Sequence, residues 1–143
     1  YADLQAYENR WQALFDNALD AILIADDDGR YVDVNPAACE LLHIERSDLL
    51  GMTIANFTYS EIDVAQMWQQ FLQQGRMSGD FPLIRSDGTI CEVEFAAVAN
   101  FVPHYHLSIL RDISARKRIE AERRRAELEL REISEALSNA VEG

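Results

Sequence analysis

Positive charge is scarce in this chain of 143 residues: 13 lysines and arginines oppose 25 aspartates and glutamates, and Lys117 is the only lysine. The net charge of −12 argues against a nucleic-acid partner, because neutralising phosphates requires surplus cations. It also argues against binding to anionic membrane surfaces. No apolar run approaches the roughly 20 residues of a transmembrane helix, so we expect no direct membrane insertion.

Cysteine is scarce as well. Cys39 and Cys91 lie too far apart to suggest a disulfide framework or a zinc site, so we expect no metal, a cytoplasmic location and two small buried apolar thiols. A Gly-rich phosphate loop is lacking. The acidic run 26–28 reads as a turn in which carboxylates bond to the local backbone. Since no nucleophile with a positioned base is evident, we predict no enzyme activity for this segment, which we expect to be a piece of a longer protein.

The charge is unevenly distributed along the chain. Residues 1–110 contain 17 acidic and 5 basic side chains, whereas residues 111–143 contain eight of each. The sequence therefore predicts two parts, an acidic body and a neutral tail, with a boundary near Arg111.

Five strands are predicted from short or alternating apolar runs, over 22–25, 31–34, 81–84, 89–101 and 105–112. Asp28-Gly29 and Asp87-Gly88 separate neighbouring strands and are typical of hairpin turns. Short helices are predicted over 37–43, 47–50 and 61–74, with Asn35 capping the first and Ser47 the second. This order of elements predicts an α+β fold, a five-stranded antiparallel sheet with short helices on one face.

The N-terminal segment carries an apolar stripe at helical spacing. Its residues predict an amphipathic helix over 4–15: Leu4, Tyr7, Trp11, Leu14 and Phe15. We assign this helix to one face of the first strand, which is apolar on both faces. The alternatives for the stripe are packing within the chain and contact with a second copy of the chain.

The tail, 113–141, has a heptad pattern. Its seam consists of Ile119, Ala126, Leu130, Ile133 and Leu137, with Arg123 as a polar break. We favour a parallel two-stranded coiled coil over a single helix that packs on its own sheet. Residues 14–21 and 136–143 also resemble each other at a constant offset of 122, with identical Asn and Ala. Apart from chance, this similarity suggests a second copy of the same domain after residue 143.

Several segments together resemble a PAS domain with its C-terminal PAC motif, over about residues 10–120. Five pieces in the right order carry the resemblance: Asn17-Ala18-Leu19-Asp20-Ala21-Ile22, the run 28–38 from Asp28-Gly29 to Asn35-Pro36, Leu49-Leu50-Gly51, Arg85-Ser86-Asp87-Gly88-Thr89, and Arg111-Asp112-Ile113-Ser114. The last resembles the Asp-Ile-Thr signature between sheet and signalling helix, with Ser in place of Thr.

The resemblance implies a sheet curved around short helices, a central cavity, and flanking helices that dimerise. It divides the chain into a flanking helix (1–17), a PAS/PAC core (18–113) and a linker helix (114–143), which we expect to lead into a second PAS repeat. PAS modules of this kind are expected upstream of bacterial histidine kinases, diguanylate cyclases or phosphatases. We expect a sensor that signals through a dimeric linker to a histidine kinase, with adjacent PAS and output domains in the same chain.

Two cofactors common in the family do not suit this sequence. The reactive cysteine of flavin photoreceptors would fall at Ile54, and their ring-binding amides would fall at Leu83, Val93 and Leu110. Haem sensors carry an axial histidine on the long helix, and residues 61–75 contain none. We therefore predict neither flavin nor haem. A redox or gas sensor that encloses a cofactor, and a dimerisation spacer without a ligand, remain alternatives.

Alignment with the family also predicts which side chains face the cavity. This set would either pack as a plain core or hold a small apolar ligand: Leu23, Ala25, Leu41, Ile54, Phe57, Met67, Phe71, Phe81, Leu83, Val93, Phe95, His106 and Leu110. His106 is aligned toward the cavity through Asp112, whereas His43 and His104 are expected in surface turns. For signal transmission we expect Arg85, Asp112, Ile113 and Ser114, with Asp112 pairing with Arg85 or capping the tail helix with Ser114.

Overall fold

The structure, a computed structural model, describes residues 2–142. Its elements follow in the order α1 (Ala2–Asn17), β1 (Ala21–Ala25), β2 (Tyr31–Val34), α2 (Pro36–Leu42), α3 (Arg46–Leu49), a 3-10 turn (Ile54–Phe57), α4 (Val64–Gln74), β3 (Arg76–Ile84), β4 (Ile90–Val102), β5 (Tyr105–Asp112) and α5 (Ser114–Glu142). The strands form one antiparallel sheet in the order β2-β1-β5-β4-β3. The predicted α+β fold is confirmed.

The chain divides into two compact units, one ending at Asp112 and the other starting at Ile113. The second unit is α5, a helix of 29 residues. Ion pairs at i,i+4 spacing, such as Arg123 with Glu127 at 3.3 Å, follow its charged side. A single helix cannot bury its own seam, so the coiled coil stays a prediction. Within residues 2–142, no helix combines the length and apolar character that a membrane crossing requires.

Asn35 joins three elements of the first unit. Its buried side chain accepts hydrogen bonds from the backbone N–H groups of Ile22 (2.8 Å) and Ala38 (3.0 Å). Its amide nitrogen donates to the carbonyls of Phe15 (3.1 Å) and Asp20 (3.0 Å). The predicted N-cap of α2 is thereby confirmed, and the same side chain fastens the end of α1 and the start of β1.

The helix that covers β1 is α2, not α1 as assigned from the sequence. Ala38 and Leu42 of α2 are buried in one core with Leu23 of β1. Of the α1 stripe, only Phe15 is buried, whereas the side chains farther up the helix are 47 to 67% exposed. The sequence shows that β1 needs cover on both faces, but a stripe by itself does not identify the surface against which it packs.

Two hairpin turns lie where the Asp-Gly pairs predicted them. Asp26 accepts hydrogen bonds from the backbone N–H groups of Asp28 and Arg30, and Gly29 has a φ of 80°, which favours glycine. In the β3–β4 turn, hydrogen bonds from the Thr89 hydroxyl and backbone N–H, and then from His43, lower the pKa of Asp87 to about 2. Both turns are therefore held by side chains that bond to nearby groups.

The starts of β3 and α4 and the N-cap of α3 differ from the prediction. β3 begins at Arg76 rather than at residue 81, because the mostly polar residues 76–80 also pair with β4, from Arg76 opposite Val98 to Asp80 opposite Glu94. α4 begins after Asp63, whose side chain accepts from the Gln66 N–H as an N-cap. The predicted cap Ser47 lies inside α3, which starts after Glu45.

Candidate functional site

A cavity of about 120 Å³ lies between the sheet and α4. It draws side chains from all five strands, from α4 and from the 3-10 turn. The lining residues are Ala25, Gly29, Tyr31, Ile54, Val64, Met67, Trp68, Phe71, Met77, Phe81, Leu83, Val93, Phe95, Ala97, His106, Leu107, Ser108 and Leu110. None of these eighteen has a formally charged side chain when the histidine is neutral.

Ten of the thirteen side chains predicted to face the cavity line it, and their ligand-binding role stays a prediction. The other three do not. Leu23 and Phe57 are fully buried in the adjacent core of β1, α2 and α3. Leu41 is partly buried against that core. They are set apart because α2 packs directly on β1 and fills the space between the two elements.

Eight lining residues were not predicted: Gly29, Tyr31, Val64, Trp68, Met77, Ala97, Leu107 and Ser108. Strand alternation could have indicated several of them. Ala97 follows Val93 and Phe95 at a spacing of two, and Ser108 lies between His106 and Leu110 in the same way. Tyr31 lies opposite Ala25 in the β1–β2 register and shares its face.

Three aromatic rings form one wall of the cavity. Trp68 and Phe71 of α4 have ring centroids 5.4 Å apart. The His106 ring of β5 stands edge-on to Trp68, with centroids 5.3 Å apart, and lies 6.1 Å from Phe71. Edge-to-face rings at these distances attract one another beyond simple burial. This cluster fixes α4 against the central strand β5.

His106 is 2% exposed, and both of its ring nitrogens are occupied. Nδ1 accepts a hydrogen bond of 2.9 Å from the backbone N–H of Asn100, so it carries no proton. Nε2 therefore carries the proton and donates to Asp27 Oδ1 at 2.9 Å. This network assigns His106 as a neutral imidazole with no nitrogen free for a haem iron or another ligand.

Asp27 connects the β1–β2 turn to three other parts of the fold, namely β5, the β4–β5 turn and α4. Its carboxylate also contacts His104 Nδ1 in the β4–β5 turn at 2.7 Å. Its backbone carbonyl accepts a hydrogen bond of 3.0 Å from Trp68 Nε1. The hydrogen bond from His106, and then that from His104, holds the pKa of the Asp27 carboxyl below its usual range. We call Asp27, Trp68, His104 and His106 the Asp27 cluster.

Polar groups in the lining are few. The ring nitrogens of Trp68 and His106 are occupied within the Asp27 cluster. Tyr31 is 8% exposed and Ser108 is half-buried, and neither hydroxyl has a hydrogen-bond partner among residues 2–142. No fully buried polar side-chain atom in this range lacks a partner, so both hydroxyl oxygens have accessible surface. Burial raises the pKa of Tyr31, so the phenol stays protonated at any physiological pH. The cavity therefore combines an apolar lining with two unpaired hydroxyls, of which that of Tyr31 is a protonated phenol.

The remaining thiols and histidine lie outside this site. Cys91 is buried, Cys39 is half-buried, and burial raises the pKa of the Cys39 thiol. His43 lies at the surface next to Asp87. Among residues 2–142, no group of three His, Cys, Asp or Glu side chains has an arrangement that would hold a metal ion.

The residues expected to transmit a signal lie at two places. The Arg85 guanidinium donates to the Leu41 carbonyl at 2.6 Å and to the Thr89 hydroxyl at 3.3 Å, in the β3–β4 hairpin, rather than to Asp112. Asp112 ends β5, and Ile113 and Ser114 follow it at the start of the second unit. Their role in transmission stays a prediction.

An ion pair next to this junction was missed from the sequence. Arg111 of β5 donates to both carboxylate oxygens of Asp20, at 3.1 and 3.4 Å, and this hydrogen bonding raises the pKa of Arg111. Asp20 lies between α1 and β1. The two residues are 91 positions apart, and only the pairing of β1 with β5 brings them together.

Comparison with known proteins shows what this fold resembles. The family model for the PAS domain matches residues 9–74. Sporulation kinase E of Bacillus subtilis is 32% identical over 130 residues, which cover 88% of this chain and 17% of that kinase. The chain thus spans about a sixth of that relative's length.

Two solved structures are similar over most of their own length. The PAS domain of an HTR-like protein from Haloarcula marismortui has a TM-score of 0.69 and 30% identity, over 78% of this chain and 96% of that one. A domain of a sensory box sensor histidine kinase/response regulator from Geobacter sulfurreducens has a TM-score of 0.67 and 27% identity, over 76% of this chain and 96% of that one.

Proposed function

Because this chain belongs to the PAS domain family, we propose that it is the sensing module of a larger signalling protein and binds a small ligand in the cavity under α4. In a dimer of two such chains, the signal then passes through α1 and α5 to an output domain. We infer that this output is a histidine kinase of a two-component system in the cytoplasm. Neither flavin nor haem is part of this proposal.

The observation that carries the proposal is the cavity itself. Protein interiors are close-packed and contain few voids larger than a water molecule. A cavity of about 120 Å³ with an uncharged lining is close in size to engineered apolar cavities of about 150 Å³ that bind benzene. It lies below the usual range of about 300–1,000 Å³ for drug-sized ligands. The cavity therefore suits a compact, mostly apolar molecule.

The proposed output and dimer have separate support. The similarity to a sporulation kinase and to a histidine kinase domain favours a kinase over a diguanylate cyclase or a phosphatase. The exposed stripe of α1 and the heptad seam of α5 are each apolar surfaces that a second copy would cover. In this proposal, a ligand changes the register or crossing angle of the paired helices.

Toluene is a suitable probe for the cavity, and a pair of neighbouring alanines on β4 provides the control. Ala97 lines the cavity, whereas Ala96 is exposed on the same strand. Ala97→Leu adds carbon atoms inside the cavity, and Ala96→Leu adds the same atoms outside it. At ten times its Kd, toluene should stabilise the unchanged chain by about 1.4 kcal/mol, or raise Tm by about 4 °C.

The same rise in Tm is expected for Ala96→Leu, and little or none for Ala97→Leu. A rise in both variants would mean that toluene binds elsewhere. No rise in any of the three proteins would refute the ligand proposal and favour the alternative of a dimerisation spacer without a ligand.

A further inference from the structure

The Tyr31 hydroxyl lines the cavity and makes no hydrogen bond within residues 2–142, as is also true of the Ser108 hydroxyl on β5. Tyr31 is 8% exposed and lines the cavity from β2. The other polar rings in the lining, Trp68 and His106, have partners for each ring nitrogen. Every fully buried side-chain nitrogen or oxygen among residues 2–142 has a hydrogen-bond partner, so the unpaired Tyr31 oxygen is not sealed in the core but has accessible surface. An unpaired, accessible hydroxyl at a cavity wall is available to a molecule that enters the cavity.

The chemistry of the hydroxyl determines what that partner offers. Because burial raises the pKa of Tyr31, the phenol keeps its proton. It can donate to a carbonyl or hydroxyl oxygen, and it can accept from a hydroxyl. It offers no charge with which to balance an ion.

The rest of the lining excludes a charged ligand on electrostatic grounds. None of the eighteen lining residues has a formal charge. An ion entering such a site would lose its hydration without a counter-charge, which is far more costly than burying an apolar surface. The Asp27 carboxylate, which contacts the lining residue His106, is already occupied by His106 and His104.

We propose that the ligand is a neutral molecule of about six to eight non-hydrogen atoms, apolar except for one hydroxyl or carbonyl group that hydrogen-bonds to the Tyr31 hydroxyl. This inference rests on the proposed function, since it requires that the cavity binds a ligand. It adds the chemical class of that ligand and the residue that selects it.

Four probes of similar shape test the ligand class by isothermal titration calorimetry on the full 143-residue chain: toluene, phenol, benzylamine and benzoate. Phenol has as many non-hydrogen atoms as toluene and carries a hydroxyl in place of the methyl group. Benzylamine and benzoate carry opposite charges at neutral pH and are larger than phenol by one and two non-hydrogen atoms, so weak binding counts against charge only where both fail. Tyr31→Phe removes only the hydroxyl. Tyr59→Phe is the matched control, because Tyr59 is exposed and does not line the cavity.

We expect phenol to bind roughly three- to tenfold more tightly to the unchanged chain and to Tyr59→Phe than to Tyr31→Phe. This ratio corresponds to the net free energy of one hydrogen bond. Toluene should bind Tyr31→Phe as tightly as the unchanged chain, or more tightly. Both charged probes should bind at least tenfold more weakly than phenol.

The outcomes separate this inference from the proposed function. If toluene binds but the affinity for phenol is the same with and without the Tyr31 hydroxyl, the cavity binds ligands and the inference about Tyr31 is wrong. That result is expected if a water molecule already bonds to the hydroxyl. Tightest binding of benzylamine or benzoate would overturn the neutral class. Binding of none of the four would overturn both proposals. If Tyr31→Phe does not fold, the preference for phenol over toluene in the unchanged chain decides alone.

Discussion

Replacing Asn35 with alanine should be among the most damaging single substitutions in the first unit. The side chain is fully buried and makes four hydrogen bonds of 2.8 to 3.1 Å to backbone groups of α1, the α1–β1 connection, β1 and α2. Losing the N-cap of α2 costs about 1 kcal/mol. Leaving the Ile22 N–H without its side-chain acceptor costs about 1–2 kcal/mol, and each of the two carbonyls adds about 0.5–1 kcal/mol.

The expected loss in the free energy of unfolding is therefore about 3–5 kcal/mol, against a total of about 5–15 kcal/mol for a domain of this size. Urea unfolding followed by circular dichroism measures it, provided that the slope with urea concentration is unchanged. Asn56→Ala is the matched control, because the exposed Asn56 side chain accepts one hydrogen bond, from the Thr53 N–H. Its expected cost is at most about 1 kcal/mol.

Asn35→Asp separates the two halves of this network. The carboxylate keeps both acceptor positions but places an oxygen where the amide nitrogen donates to two carbonyls. We expect a loss at neutral pH at least as large as that of Asn35→Ala, and partial recovery on acidification, because the protonated acid can donate again. A loss below about 1 kcal/mol for Asn35→Ala would refute the reasoning.

Three further predictions concern the Asp27 cluster, a turn and the proposed coil. The hydrogen bond from His106 holds the pKa of Asp27 below its usual value of about 3.9. The stability that Asp27 adds relative to Asp27→Asn should therefore be complete above about pH 5 and decline as the pH falls through the lowered pKa. Urea unfolding of both proteins across this pH range measures the difference. A pH-independent difference would contradict this. Gly29→Ala should cost about 1–2 kcal/mol in the same assay, because φ is 80° there, and an unchanged midpoint would be the contrary result. In sedimentation equilibrium, Leu137→Glu should shift the proposed dimer to the 16.3 kDa monomer. Ser138→Glu, which lies outside the seam, should leave the dimer intact. Equal behaviour of the two variants would argue against the coiled coil.

Local sequence patterns were sufficient for most of the fold. Both Asp-Gly turns, the cap at Asn35 and the strand alternation of β4 depend on interactions within a few residues, and these predictions are confirmed. The first half of β3 was missed because Arg76 to Asp80 look like a polar loop, and only their pairing with β4 makes them a strand. Tertiary pairing overrode local preference at that point.

The candidate site was predictable in its apolar part and not in its polar part. Side chains that alternate along β3, β4 and β5 identify much of the lining without any knowledge of distant contacts. The Asp27 cluster brings together residues 41 to 79 positions apart, through a loop that reads as an ordinary acidic turn. Asp27 and its neighbours Asp26 and Asp28 are indistinguishable by sequence, and only Asp27 meets the two histidines.

The cavity and the attachment point of α1 both involve β1 and β5, which are neighbours in the sheet. His106 and Leu110 line the cavity from β5, and the register pairs them with Ala25 and Ala21 of β1. At the Ala21 end, Asn35 holds the last turn of α1 and Arg111 holds Asp20, immediately before β5 ends at Asp112. A ligand that displaced β5 relative to β1 would therefore strain the Arg111–Asp20 ion pair directly, and it would reach the Asn35 bonds through Asp20, whose carbonyl accepts from the Asn35 amide. The Asn35 variants test this coupling directly. If they weaken phenol binding while Asn56→Ala does not, the cavity and the attachment of α1 are energetically linked. An unchanged phenol affinity in folded Asn35→Asp would show that the two are independent.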